Sequence, residues 1–247
     1  MLTLGFPGLY EGTVVDFTTP SSQKWVLEKK LTEDAQQMSK WELDGGGGPP
    51  FTVFTYRCRS ATDSEKKAFM RIYFQIPIAG NGYRLEDRQQ QAAPPRKHPE
   101  LDVAKDLRLR ECPVVPTFLA YKEGKQDNDA RVPGGYITHV VWEKVPGESL
   151  NQDKFWDPQS GLLREAIRAK FRDVWEELKH YGWQPAVHGL RNIIYDEVTG
   201  TMHIAGFRVP ARLDPEEEFT DLTFVRWCLA IPPKNADWKR DSTKWAW

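Results

Sequence analysis

The sequence predicts an α+β protein in two parts: a strand-rich first part, residues 1–145, and a mainly helical second part, residues 146–247. Three observations predict it. Runs rich in aromatic and β-branched residues, above all "FTVFTYRCRS" and "KAFMRIYFQIP", crowd the first part. An apolar stripe at helical spacing occupies residues 158–181 of the second. Between them stands Val145-Pro146-Gly147, which breaks either kind of element.

In chain order, "GTVVDFT" and "KWVLEKKL" predict a first strand pair turning at Pro20-Ser21-Ser22. Residues 44–50 read as a flexible linker, because four consecutive glycines hold neither helix nor strand. The two aromatic strands follow, and then a polar flexible loop over 80–99. Leu101, Ala104 and Leu107 are spaced for a short helix within "ELDVAKDLRLREC". A strand in "PTFLAYKEGKQ" precedes another over Tyr136–Lys144. The long helix carries Leu163, Ile167, Phe171, Val174 and Leu178 on one face, with Asp157 as cap, Pro158 at the first position and Gly182 closing it. A hairpin spans 192–207, turning at Thr199-Gly200. "FTDLTFVRWCLAI" predicts a last helix, trailed by the Trp-rich "DWKRDSTKWAW", which either lids a pocket or joins a partner.

With 34 basic and 35 acidic residues the net charge is −1, which argues against a nucleic-acid binder or an anionic-membrane binder. Cys58, Cys112 and Cys228 have neither disulfide-framework nor zinc-site spacing, so reduced, mostly buried thiols are expected. No apolar run is long enough to span a membrane, and the opening residues lack a secretory pattern. A cytoplasmic protein is expected. Ten tryptophans can serve a core or wall an apolar ligand pocket.

The phrases "AFMRIYF", "PGGYITHVVWEKVPGESL" and "NIIYDEVTGTMHIAGF" resemble the third strand, the hinge, and the catalytic-loop-to-metal-loop hairpin of protein kinases. Over roughly residues 50–210 the order of elements resembles the protein-kinase-like fold, especially the divergent kinase-like proteins of filamentous fungi. The resemblance implies two lobes: an N-terminal antiparallel sheet lobe and a truncated helical C-terminal lobe.

Kinase chemistry needs a strand Lys on the phosphates, a catalytic-loop Asp as base, and an Asn and an Asp on metal. Against that pattern the strand position holds Arg71, whose planar fork does not replace a compact ammonium. Anchoring H-R-D-x-x-x-x-N at Asn192 puts Val187 at the base, with His188 one residue off. Gly206 of "GFR" stands where the metal-binding Asp belongs. No phosphate-loop glycine pattern precedes the strands. The resemblance therefore implies a degenerate, phosphotransfer-inactive member with no metal and no cofactor.

Candidate catalytic residues are Arg71, His188 and Asn192, and candidate ligand-binding residues are Phe69, Tyr73, Trp142, Glu143 and Phe207. Alternation places Phe69, Arg71 and Tyr73 on one face of their strand. Each has a plainer role open to it. Arg71 could pair with Glu100 or Asp102, Asn192 could cap its loop, Trp142 could pack in the core, and His188, like His139, could be merely structural. Three functions stay open. One is a cofactor-free cyclase or isomerase acting on a hydrophobic small molecule, for example by Diels–Alder-type ring formation in fungal secondary metabolism. Another is a pseudokinase-like scaffold with a protein partner, and the third a residual small-molecule phosphotransferase.

Overall fold

The computed structural model describes residues 9–80, 84–234 and 237–247. Residues 1–8, where no secretory pattern is read, and 81–83 of the expected flexible loop lie outside the described residues.

Strands β1 (Val14–Phe17) and β2 (Gln23–Gln36) lead to helix α1 (Lys40–Asp44). Next come β3 (Phe51–Ser60), β4 (Lys67–Gln75) and α2 (Leu85–Gln89). Helix α3 (Pro99–Leu109) precedes β5 (Phe118–Lys125) and β6 (Tyr136–Glu143). The remainder holds β7 (Glu148–Ser149), α4 (Gln152–Phe155), α5 (Gly161–Lys179), β8 (Trp183–Pro185), β9 (Ile193–Tyr195), β10 (Met202–Ile204), β11 (Pro210–Arg212) and α6 (Asp221–Arg226). The chain is thus α+β, sheet-rich first and more helical later. It divides into two compact units: 1–98 with 118–144, and 99–117 with 145–247. The expected division at 145/146 lies one residue past the observed one, and the segment 99–117 goes with the second unit. The reason is packing: Val103, Leu107 and Val115 are buried with Phe155, Ile167 and Phe171.

In the first unit six antiparallel strands run in the order β1-β2-β3-β4-β6-β5. Register shifts after Leu27 and after Lys30 bend the long β2, as bulges do. The sheet rolls until its margins meet: Tyr121 of β5 donates its backbone N–H to Thr19 O at 3.3 Å, and Gln23 Nε2 donates to Leu119 O at 2.8 Å. Strand alternation then gives two faces. One carries Phe17, Trp25, Leu27, Phe54, Tyr56, Met70, Ile72 and Val141 into a closed core. The other carries Phe69, Arg71, Tyr73 and Trp142.

Two segments expected to be irregular contain or adjoin helices. Ser39 and Glu42 form a reciprocal capping box that starts α1. The glycines expected as linker close it, with Gly45, Gly46 and Gly47 donating to Trp41, Leu43 and Glu42 carbonyls. Gly46 has φ +92°, and a Cβ on Gly47 would lie 2.7 Å from Glu42 O, so the run is a helix terminus rather than slack. Within the loop expected over 80–99, α2 places Arg88 in the interior, where Nη1 donates to Ala130 O and Arg131 O.

In the second unit, the predicted long helix is a turn of 3₁₀ helix, Pro158–Ser160, running into α5. Asp157 Oδ1 caps it by accepting from Gln159 N at 2.8 Å, and Gly182 ends it at φ +70°. Its buried face holds Ile167, Phe171, Val174 and Leu178, and also Arg168 and Trp175. Strands β9 and β10 form the expected hairpin, with β7 added beside β9. The last helix is only α6. The Trp-rich tail packs on its own unit: Ile231 and Ala246 exchange both backbone hydrogen bonds, and Trp245 is buried with Phe171 and Trp227. The three cysteines are free, and Cys228, contrary to expectation, is exposed. No helix among the described residues is long and apolar enough to cross a membrane.

Candidate functional site

The expected residues fall into two groups, one in each unit. In the first, antiparallel pairing sets Arg71 opposite Thr55 of β3 and Val140 of β6, and Phe69 opposite Trp142. The Arg71 guanidinium carbon lies 4.8 Å from the centre of the Trp142 ring, and the Phe69 ring stands 6.4 Å from the same indole. All three are half-buried. This is a cation held over an aromatic wall, an arrangement worth about 0.5–1 kcal/mol where water still reaches it.

Tyr73 and Glu143 stand apart from this trio. Tyr73 is 2% exposed, and its ring stacks on His98 at 3.6 Å, with Phe51 at 5.8 Å. Tyr136 lies 6.0 Å from His98, and the Arg96 guanidinium covers Phe51 at 5.4 Å. Tyr73 therefore belongs to a packed aromatic cluster that the polar segment 91–98 completes. Burial pushes the Tyr136 hydroxyl's pKa far up. The hydroxyls of Tyr136 and Thr138, two residues apart on β6, are buried without a hydrogen-bond partner among the described residues. Glu143 pairs with Ala68 at the end of β6, so alternation turns it away from the Trp142 face.

His139 takes the structural role. It is buried in the first unit's core, edge-on to Phe17 at 6.2 Å. Burial, and secondarily Lys122, push its pKa down to about 4, so the ring is neutral near pH 7.

In the second unit Asn192 ends a 3₁₀ turn and leads into β9. Its side-chain Nδ2 donates to Val187 O at 2.5 Å, and its backbone carbonyl accepts from Ala205 N at 2.8 Å. The amide therefore ties its own loop. Gly206 sits against it at φ +94°, and a Cβ built there would lie 2.7 Å from Asn192 Cγ and Oδ1. Any side chain at 206 collides with the amide and strains the backbone. His188 Nε2 is 2.9 Å from Gln184 Oε1, and its ring lies 4.8 Å from Trp227. Desolvation first, and Arg226 next, lower its pKa, against Glu217. With Gln184 Oε1 as acceptor, the neutral ring donates from Nε2 and keeps its lone pair on Nδ1, a tautomer inferred from that contact. Phe207 is half-buried against the second core. Among the described residues no group of three or more His, Cys, Asp or Glu could hold a metal ion.

Two features escaped the sequence reading. His98 lies in a stretch whose composition reads as loop, and only its Pro-flanked position hints at order. Arg168 interrupts an apolar stripe, where a buried charge is the signal that could have singled it out.

No family model and no curated protein matches the sequence. Among solved structures, the chain is similar to the kinase PK-1 of the Cydia pomonella granulovirus, with a TM-score of 0.42 and 13% identity over 76% of this chain. The match spans 52% of the viral kinase, so this chain corresponds to about half of that protein's length. A score this low fixes no family.

Proposed function

We propose that this chain is a kinase-like protein that transfers no phosphate and works as a cofactor-free enzyme on an apolar small molecule, a cyclase or isomerase. The order of elements supports the kinase-like part: sheet, α3, two further strands, α5, and an Asn-bearing hairpin. One observation carries the inactivity. Gly206 occupies the metal-carboxylate position of the resembled pattern, and the Asn192 amide fills the space a side chain there would need. Without that carboxylate, the charge developing on a transferring phosphoryl group lacks the metal clamp that stabilises it.

The Phe69–Arg71–Trp142 face supports the small-molecule part. Pericyclic ring closure and related isomerisations need a shaped apolar wall to hold a reactive conformer, and a donor to polarise a carbonyl. The two rings and the guanidinium are of those types. Diels–Alder-type ring formation in fungal natural-product biosynthesis is the reaction class proposed.

A panel of conjugated polyenes bearing a carbonyl, incubated with the purified protein and followed by mass-neutral product formation, tests this. Conversion should fall about a hundredfold in Arg71→Leu, the scale of losing one preorganised donor. Conversion equal to wild type in that variant overturns the site, and phosphate transfer from ATP with magnesium overturns the function.

A scaffold role without catalysis has its own support, since Asn192 and His188 are both engaged by neighbouring groups of their own loop. Saturable capture of a protein partner by a chain inert to every small molecule tested would favour it.

A further inference from the structure

Helix α5 carries three arginines at successive turns, Arg164, Arg168 and Arg172, and the first two sit on neighbouring positions of one face. Arg168 is 7% exposed. Its Nε donates to Leu229 O at 2.8 Å, and its guanidinium carbon lies 5.4 Å from the Trp247 ring and 5.9 Å from Phe155. Arg164 Nη1 donates to Asp157 O at 2.7 Å and to Phe155 O at 3.2 Å, with the Trp156 ring 5.6 Å away. Backbone carbonyls therefore hold both forks in place. Two donors are left over: Arg168 Nη2 and Arg164 Nε are shielded from water and have no hydrogen-bond partner among the described residues.

The charge balance is equally incomplete. Neither guanidinium has a carboxylate partner among the described residues. The two repel one another, and the acidic group acting on Arg168 is the exposed Glu165. Arginine does not shed its proton to escape this. Aromatic faces offset part of the cost of a buried cation, but a ring offers Nη2 no lone pair in the plane of the fork. Buried charges that persist in proteins are paired.

We infer that Arg164 and Arg168 form a binding site for the carboxylate of a small apolar acid, with Phe155, Trp156 and Trp247 against its body. The orphaned donors select the class. A carboxylate supplies the in-plane acceptor lone pairs that these N–H groups lack, and its charge offsets that of the guanidinium groups. A phosphate would bring further oxygens into a wall of rings that cannot satisfy them. This site is independent of Arg71 and of the reaction proposed above.

Benzoate is the probe, with benzamide as its neutral isostere and inorganic phosphate as the competing anion, each titrated into the full chain. Benzoate should quench tryptophan fluorescence saturably and raise the melting temperature, while benzamide does neither. Arg164→Gln should weaken benzoate at least about tenfold with little change in the melting temperature of the free protein. Arg168→Met should abolish binding and leave the free protein as stable or more so, because a lone buried charge is gone. Should Arg168→Met fail to fold, the half-buried Arg164→Gln decides the matter. Equal responses to benzoate and benzamide, wild-type benzoate affinity in Arg164→Gln, or saturation by phosphate in preference to benzoate would each overturn the assignment. So would the absence of saturable benzoate binding at millimolar concentration.

Discussion

The side-chain amide of Asn192 occupies the space into which a Cβ on Gly206 would project, 2.7 Å from its Cγ and Oδ1. The same amide donates to Val187 O. Gly206→Asp therefore forces either a positive-φ aspartate or a displaced loop. We expect a loss of about 1–3 kcal/mol in urea unfolding, and no gain of magnesium-dependent stabilisation by ATP. The loss should shrink when Asn192→Ala is introduced first, because the collision is then relieved. A Gly206→Asp chain that magnesium and nucleotide stabilise would overturn this account of the hairpin.

Arg71 and Trp142 are coupled through their 4.8 Å cation–ring contact. A double-mutant cycle of Arg71→Leu and Trp142→Leu, read by urea denaturation, should return a coupling of about 0.5–1 kcal/mol. Coupling indistinguishable from zero would mean that the contact contributes nothing to stability.

His139 makes the first unit sensitive to acid. Its folded pKa, about 4, lies below the unfolded value of about 6.5. The unfolded chain therefore binds the extra proton first, and stability falls as pH drops through that window. The contribution is complete above about pH 6.5 and lost by about pH 4, on the order of 3 kcal/mol. His139→Phe should flatten this part of the pH–stability curve, and an unchanged slope would assign the effect elsewhere.

Thr138 carries a buried hydroxyl without a hydrogen-bond partner among the described residues. Thr138→Val removes the polar atom and keeps the branched shape, so it should be neutral or stabilising by up to about 1 kcal/mol. A loss well beyond 1 kcal/mol would reveal a hydrogen bond, such as one to a trapped water.

On α5, Phe171 is fully buried, whereas Leu162 is 85% exposed. Phe171→Ala should cost about 3–5 kcal/mol, and Leu162→Ala less than about 0.5 kcal/mol. Thermal denaturation of the two variants checks the direction of the helix face.

Much of this architecture is local enough to be read from the chain. The pairing of Val14–Phe17 with the start of β2 follows from turn residues and alternation, and the stripe from Ile167 to Leu178 follows from a period of 3.6 residues. The grouping of Phe69, Arg71 and Trp142 needed only alternation plus adjacent strands. What stayed hidden depends on distant contacts. Tyr73 shares the alternation of Arg71, yet its burial is decided by His98, twenty-five residues on in a stretch of loop-like composition. The glycines after α1 signal flexibility by composition, but the preceding capping box recruits them as a helix end. Helix α3 reads as a helix from its own residues. Which core it joins depends on Phe155 and Phe171, which come much later in the chain.

Because the first unit's sheet curls until the Thr19 turn meets Tyr121, β5 is tied there at one bridge, while the second half of β2, beyond the four residues that β1 covers, keeps an exposed margin. A row of free backbone groups is the usual template on which proteins add a foreign strand or stick to their own copies. Here the exposed stretch of β2 carries Lys29, Lys30, Glu33 and Asp34, charges of the kind that keep such a margin from adding strands, so crowding should provoke little cross-strand polymerisation.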